Sequence, residues 1–185
     1  MKLKVNRYLL ALAWVVVVHP AAAQGTAAGG GAESCRKFVQ EFYDSYLKQS
    51  AKGKGVSDAI KVRRSAFSPE ILRALKVDAV AQAKHPNEIV GLDFDPIFNG
   101  QDFANKYVVG KATNKGTRYL VEVFGIWNGK KDEIPSVTPE LTWVNSQWRF
   151  QDFHYQRDPK KPSEDSLLSV LKALREERRR LPDGM

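Results

Sequence analysis

Soft metal ligands are scarce: one cysteine, Cys35, and three histidines in 185 residues. That excludes an internal disulfide framework and a Cys/His zinc cluster. Long apolar runs are missing too. The run at 8–18 holds 11 residues, where a membrane-spanning helix needs about 20. Neither Gly29-Gly30-Gly31 nor Gly53-Lys54-Gly55 is followed by the Gly-Lys-Ser/Thr of a phosphate loop. No Gly-x-Ser-x-Gly nucleophile elbow occurs, which removes the commonest serine-hydrolase signature. Acids are outnumbered, 21 against 29 Lys and Arg, a net charge of +8 that favours negatively charged partners.

What is present has the balance of one folded domain: 43% hydrophobic and 27% charged residues. The first residues fall into a basic zone (Lys2, Lys4, Arg7), the apolar run and the small residues Ala21, Ala22 and Ala23. This order reads as a secretory signal peptide over 1–23, cleaved after Ala23 and leaving no transmembrane anchor. Cys35 lies too far downstream to serve as a lipid-attachment cysteine. The mature chain keeps 26 basic and 21 acidic residues, or +5. An exported location, periplasmic or secreted, points to anionic envelope components and away from nucleic acid.

Residues 24–33, rich in Gly and Ala, read as a flexible linker. Ser34 is placed to cap a helix in which Cys35, Phe38, Val39, Phe42, Tyr43, Tyr46 and Leu47 recur at spacings of three and four, with Cys35 buried on that stripe. A short helical segment is expected over 58–65. A helix over 69–84 begins with the Ser68 cap and Pro69, and His85-Pro86 stops it. From 105 onward the period becomes two, with strands over 107–111, 118–127, 140–144 and 147–155. Asn114-Lys115-Gly116 joins the first pair. Asn145-Ser146 makes a tight hairpin of the last, setting Trp143 opposite Trp148. A final helix starts at Ser163-Glu164-Asp165 and carries Leu167, Val170, Leu171 and Leu174 on one side. The fold class is therefore α+β, with N-terminal helices packed on a curved four-stranded antiparallel sheet, an α+β domain at 34–158, and a C-terminal helix and tail at 159–185.

The loop at 93–102 concentrates polar chemistry. Asp93, Asp95, Asn99, Gln101 and Asp102 are its candidate ligand or partner contacts, joined by Tyr107 and His154. Pro96 and the lack of a glutamate at the twelfth position rule out an EF-hand, and no metal is expected. The buried rings Phe94 and Phe98 would order this loop beside the largest pocket. Asp152 and His154, two apart on a strand, share a face and form the candidate acid/base pair, with Asp93 as an alternative acid. Glu122, inside an apolar strand, is the third catalytic candidate. Arg175, Arg178, Arg179 and Arg180 could dock on an anionic envelope surface.

Phe38-Val39-Gln40-Glu41-Phe42-Tyr43, Phe67-Ser68-Pro69-Glu70, Gly91-Leu92-Asp93-Phe94-Asp95-Pro96, Gln101-Asp102, and Trp148-Arg149-Phe150 running into Phe153-His154-Tyr155 cover about 34–174. In these the chain resembles a bacterial family of exported domains of unknown function, similar to the cystatin-like or nuclear transport factor 2-like group. The resemblance implies a curved sheet wrapping a helix around a conical pocket, and it carries over no catalytic residue and no cofactor. The function expected is a non-catalytic envelope module that binds a small molecule or envelope protein through the concave face and the acidic loop. Alternatives are a small hydrolase or isomerase using His154 with Asp152 or Asp93, and an inhibitor or immunity protein against a cell-wall enzyme.

Overall fold

The aromatic stripe becomes α1 (Ala32–Ser50) in the computed structural model, which describes residues 30–156 and 165–180. The segment 1–23, linker residues 24–29 and Ser163-Glu164 lie outside the described residues. Gly31, one turn before the expected cap, precedes α1, so Ala32 and Glu33 belong to the helix and not to the linker. Ser34 accepts instead from the indole N–H of Trp148. Cys35, Val39, Phe42, Tyr43 and Tyr46 are buried along the inner side of α1. Burial pushes the Cys35 thiol up to about 12, so it is an inert core side chain.

The segment expected at 58–65 divides into α2 (Val56–Val62) and a single 3₁₀ turn at Arg64–Ala66. Next, α3 (Pro69–Lys84) starts on the Ser68 hydroxyl, which accepts from the Ile71 N–H at 3.2 Å. The strands are β1 (Lys106–Lys115), β2 (Arg118–Trp127), β3 (Lys130–Lys131), β4 (Thr138–Val144) and β5 (Gln147–His154). They form one antiparallel sheet in the order β1-β2-β4-β5, with β3 added to the end of β2. A helix α4 (Leu167–Arg180) is the last described element.

Two turns differ from expectation. Lys115 pairs with Arg118, so β1 turns into β2 through Gly116-Thr117, with Gly116 at φ +77°, and Asn114 stays in the strand. A further hairpin at Asn128-Gly129, with φ +50° and +85°, creates β3. The Asn145-Ser146 turn is as read: Val144 pairs with Gln147 and Trp143 with Trp148, whose rings lie 5.1 Å apart, edge to face.

One face of the sheet is filled by α1. Phe42 meets Phe150 at 4.7 Å, Tyr46 meets Phe98 at 4.8 Å, and Phe98 stacks on Tyr107 at 4.5 Å. Each such ring contributes about 1.5–3 kcal/mol by burial alone. The inner-face side chains Val121, Val123, Leu141, Trp148, Phe150 and Phe153 are all buried, so the face expected to receive a ligand is core.

Both long edges of the sheet are covered. On the β1 side the Gln40 amide behaves like a peptide of a missing strand, accepting from the Val109 N–H at 2.9 Å and donating to the Tyr107 carbonyl at 3.0 Å, while Arg36 donates to the Gly110 carbonyl. On the β5 side the Ser68 N–H donates to the Phe150 carbonyl, and Ser166 bridges to His154.

Helix α4 is fixed at both ends. Ser166 and Ser169 exchange hydroxyl and N–H bonds as a reciprocal cap, and Asp152 accepts from the Leu168 N–H at 3.1 Å. The helix therefore starts from Ser166, downstream of the expected Ser163-Glu164-Asp165. Twelve residues further on, Arg178 is buried and donates to Asp78 of α3 at 2.8 Å. Leu167 and Leu171 fill the space between.

Candidate functional site

Asp95 organises the 93–102 loop. Its Oδ1 accepts from the N–H groups of Ile97 (2.8 Å) and Phe98 (3.1 Å), its Oδ2 accepts from the Tyr46 hydroxyl, and its backbone bonds Asn99 and Gly100. This is a carboxylate shaping its own turn. Burial raises the Asp95 carboxyl above the ordinary carboxylate range, against the opposing hydrogen bonds from Tyr46 and the two N–H groups. Burial likewise pushes the Tyr46 hydroxyl up, and the neighbouring Asp95 charge adds to it.

The other loop candidates separate. Asn99 donates to the Ser136 carbonyl, and Gln101 donates to the Asp93 carbonyl. Tyr107 is buried and its hydroxyl accepts from the Ala104 N–H; burial moves it up to about 12. The side chains of Asp93 and Asp102 are exposed. Asn99, Asp102 and Tyr107 line a cleft of about 440 Å³ with Trp127, Asp132 and Glu133. Within it Asp132 accepts from the Gly125 N–H and the Ser136 hydroxyl. The loop does not border the larger cleft of about 670 Å³ between α2 and α3, because its rings turn inward onto Tyr46, Tyr107 and Tyr155. Among the described residues no cluster of three or more His, Cys, Asp or Glu is arranged to hold a metal ion.

His154 and Asp152 share the face of β5 away from α1, as the alternation implies, but they do not act on each other. A bulge opposite Glu140 and Leu141 shifts the register of β5. His154 Nε2 instead meets Glu140 at 3.1 Å, and the same carboxylate takes Arg118 at 2.6 Å. The Asp152 carboxylate faces the backbone of Phe153 and Leu168. Glu122 accepts from the Lys111 N–H where β1 bulges, so it braces a strand irregularity. Asp93 has its own role at the loop surface and no contact to His154 among the described residues.

Two further clefts lie among α2, α3 and α4, and their rims are mainly cationic. Between α2 and α3, the 670 Å³ cleft has Ile60, Leu72 and Leu75 below a rim of Lys61, Arg64, Arg73 and Lys76. Between α3 and α4, a cleft of about 630 Å³ has Ala74, Val77, Leu168 and Leu171 with Arg73, Lys172, Arg175 and the single acid Glu70. Arg73 lines both. Of the four arginines expected to form a docking patch, Arg175, Arg179 and Arg180 are exposed, whereas Arg178 is the buried partner of Asp78 and takes no part.

Comparison with protein-family models, curated proteins and solved structures finds no match. The site therefore rests on its own geometry. Asp78 and Gln82 are polar residues that sequence reasoning passed over, and Arg178 is one that it placed on the surface. Asp78 accepts from the Leu92 N–H, and Gln82 binds the Val90 and Gly91 N–H groups, pinning the chain after α3. A Cβ at Gly91 would come within 2.8 Å of the Asp78 carboxylate, which would have to shift away from its partners to admit it. The signal was available. Asp78 continues the buried series Ile71 and Leu75, and Arg178 continues Leu167 and Leu171, so two charges of opposite sign occupy core positions of facing helices.

Proposed function

We propose that this chain is an exported, non-catalytic binding module of the bacterial cell envelope, with a cystatin-like or nuclear transport factor 2-like sheet, and that it engages an anionic lipid surface through α2, α3 and α4. The observation that carries this reading is the pair of apolar clefts flanking α3, which share Arg73 and are rimmed by Lys61, Arg64, Arg73, Lys76, Lys172 and Arg175. Exposed Val62, Val77 and Val80 on the same helices add apolar contact next to the charge. That combination suits a lipid headgroup region. Among the described residues no helix is long and apolar enough to cross a membrane, so contact would be peripheral. The roles of Asp95, Asp152 and Glu122 in holding turns, helix and bulge favour binding over acid/base chemistry.

Two measurements test the reading. Amino-terminal sequencing of the protein recovered from cells should begin near Gln24, and a retained apolar segment would remove the export step. Sedimentation with vesicles should retain the protein on phosphatidylglycerol/phosphatidylcholine mixtures, release it as salt rises, and leave it free of pure phosphatidylcholine. Equal retention on neutral vesicles, or none on anionic ones, would overturn the lipid-surface reading.

A further inference from the structure

We infer that the α2–α3 cleft is a site for a single-chain amphiphile with an anionic head, a long-chain carboxylate being the simplest case. This deepens the lipid-surface reading and rests on it. The cleft, about 670 Å³, falls within the range of small-ligand sites. Its lining separates into two chemistries. Ile60, Leu72 and Leu75 supply apolar wall, while Arg64, Arg73 and Lys76 stand at the rim. No acidic side chain lines it. Among the described residues Arg64, Arg73 and Lys76 make no ion pair, and the pair of Lys61 is an exposed contact with Asp58 at 3.5 Å. The rim thus carries uncompensated positive charge beside a partly covered apolar wall, which a neutral or cationic ligand would leave unmatched. Two guanidinium groups and an ammonium suit a carboxylate head, and the wall suits the methylene chain.

Calorimetric titration of the purified protein with sodium decanoate, dodecanoate and tetradecanoate, each kept below micelle formation, tests the inference. Saturable binding at one site is expected, strengthening about two- to fourfold per methylene. Dodecylamine, with the same chain and the opposite charge, should bind at least tenfold more weakly. Arg64→Glu with Lys76→Glu, both exposed and checked for native circular dichroism, should weaken dodecanoate at least tenfold, and Leu72→Ser should flatten the chain-length series. Absence of binding, equal affinity for dodecylamine, or indifference to the charge reversal would overturn the site. So would a dimer in light scattering that the same reversal dissociates, because a second copy would then occupy the cleft. If dodecanoate fails while anionic vesicles still retain the protein, the cleft assignment falls and the lipid-surface reading stands; if both fail, both fall.

Discussion

A charged residue in this molecule is defined by what it faces. Arg175 and Arg178 are three apart on α4, yet one is exposed and the other is sealed against Asp78 and the Val90 carbonyl. Arg178→Ala would leave the Asp78 carboxylate buried with half its partners and should cost about 3–5 kcal/mol in urea unfolding, whereas Arg175→Ala should change stability by less than about 0.5 kcal/mol. Asp95 gives a pH signature. Burial raises its carboxyl in the folded chain above the unfolded value of about 3.9, so the folded state holds its proton to higher pH. Its contribution is then fully present below the unfolded value and is lost as pH rises through the folded one. Relative to Asp95→Asn, the wild-type chain should gain stability on acidification through that window, measured by urea unfolding at stepped pH; a pH-independent difference would count against the shift. Of these residues the sequence made Asp95 visible as part of a polar loop. Arg178 was read as a surface charge, because a run of arginines at a helix end reads as solvated even though this one continues the apolar series Leu167 and Leu171.

At the scale of elements, periodicity located the helices and strands well, since each has a buried stripe or face, while turns and caps depended on local geometry. Asn145-Ser146 was legible from its length and residue types. Both residues adopt positive φ, +50° and +60°, which serine resists. Ser146→Gly should therefore raise stability by up to about 1 kcal/mol, seen as a higher melting temperature with unchanged Trp143–Trp148 near-ultraviolet signal. The Asn128-Gly129 hairpin was hidden because β3 is only two residues long and both are exposed lysines, giving no alternation to read. The 93–102 loop was expected to be held by its rings, and the weight falls unequally. Phe98, 4% exposed and stacked on Tyr107, should cost about 3–5 kcal/mol as Phe98→Ala, and the half-buried Phe94, edge-on to Tyr155, about half as much. Thermal melts of the two variants would order them.

At the scale of the whole molecule the clefts differ in charge: Asp102, Asp132 and Glu133 line the 440 Å³ cleft, whereas lysines and arginines rim the two clefts between α2, α3 and α4. Composition announced the excess of positive charge and could not place it, because α2, α3 and α4 come together only after folding. The resemblance implied a sheet wrapping a helix around a conical pocket; the rings of α1 occupy the sheet's inner face.

The amide of Gln40, seated where a neighbouring strand would lie, has a consequence for self-association. An uncovered strand is a template for fibril growth, and β1 would be long enough to recruit a copy of itself. Gln40→Ala should leave the monomer folded while exposing the Val109 N–H and Tyr107 carbonyl. Concentrated solutions of that variant should bind thioflavin T after incubation while wild type does not. A single side chain would then set the threshold between a chain that stays solitary and one that polymerises.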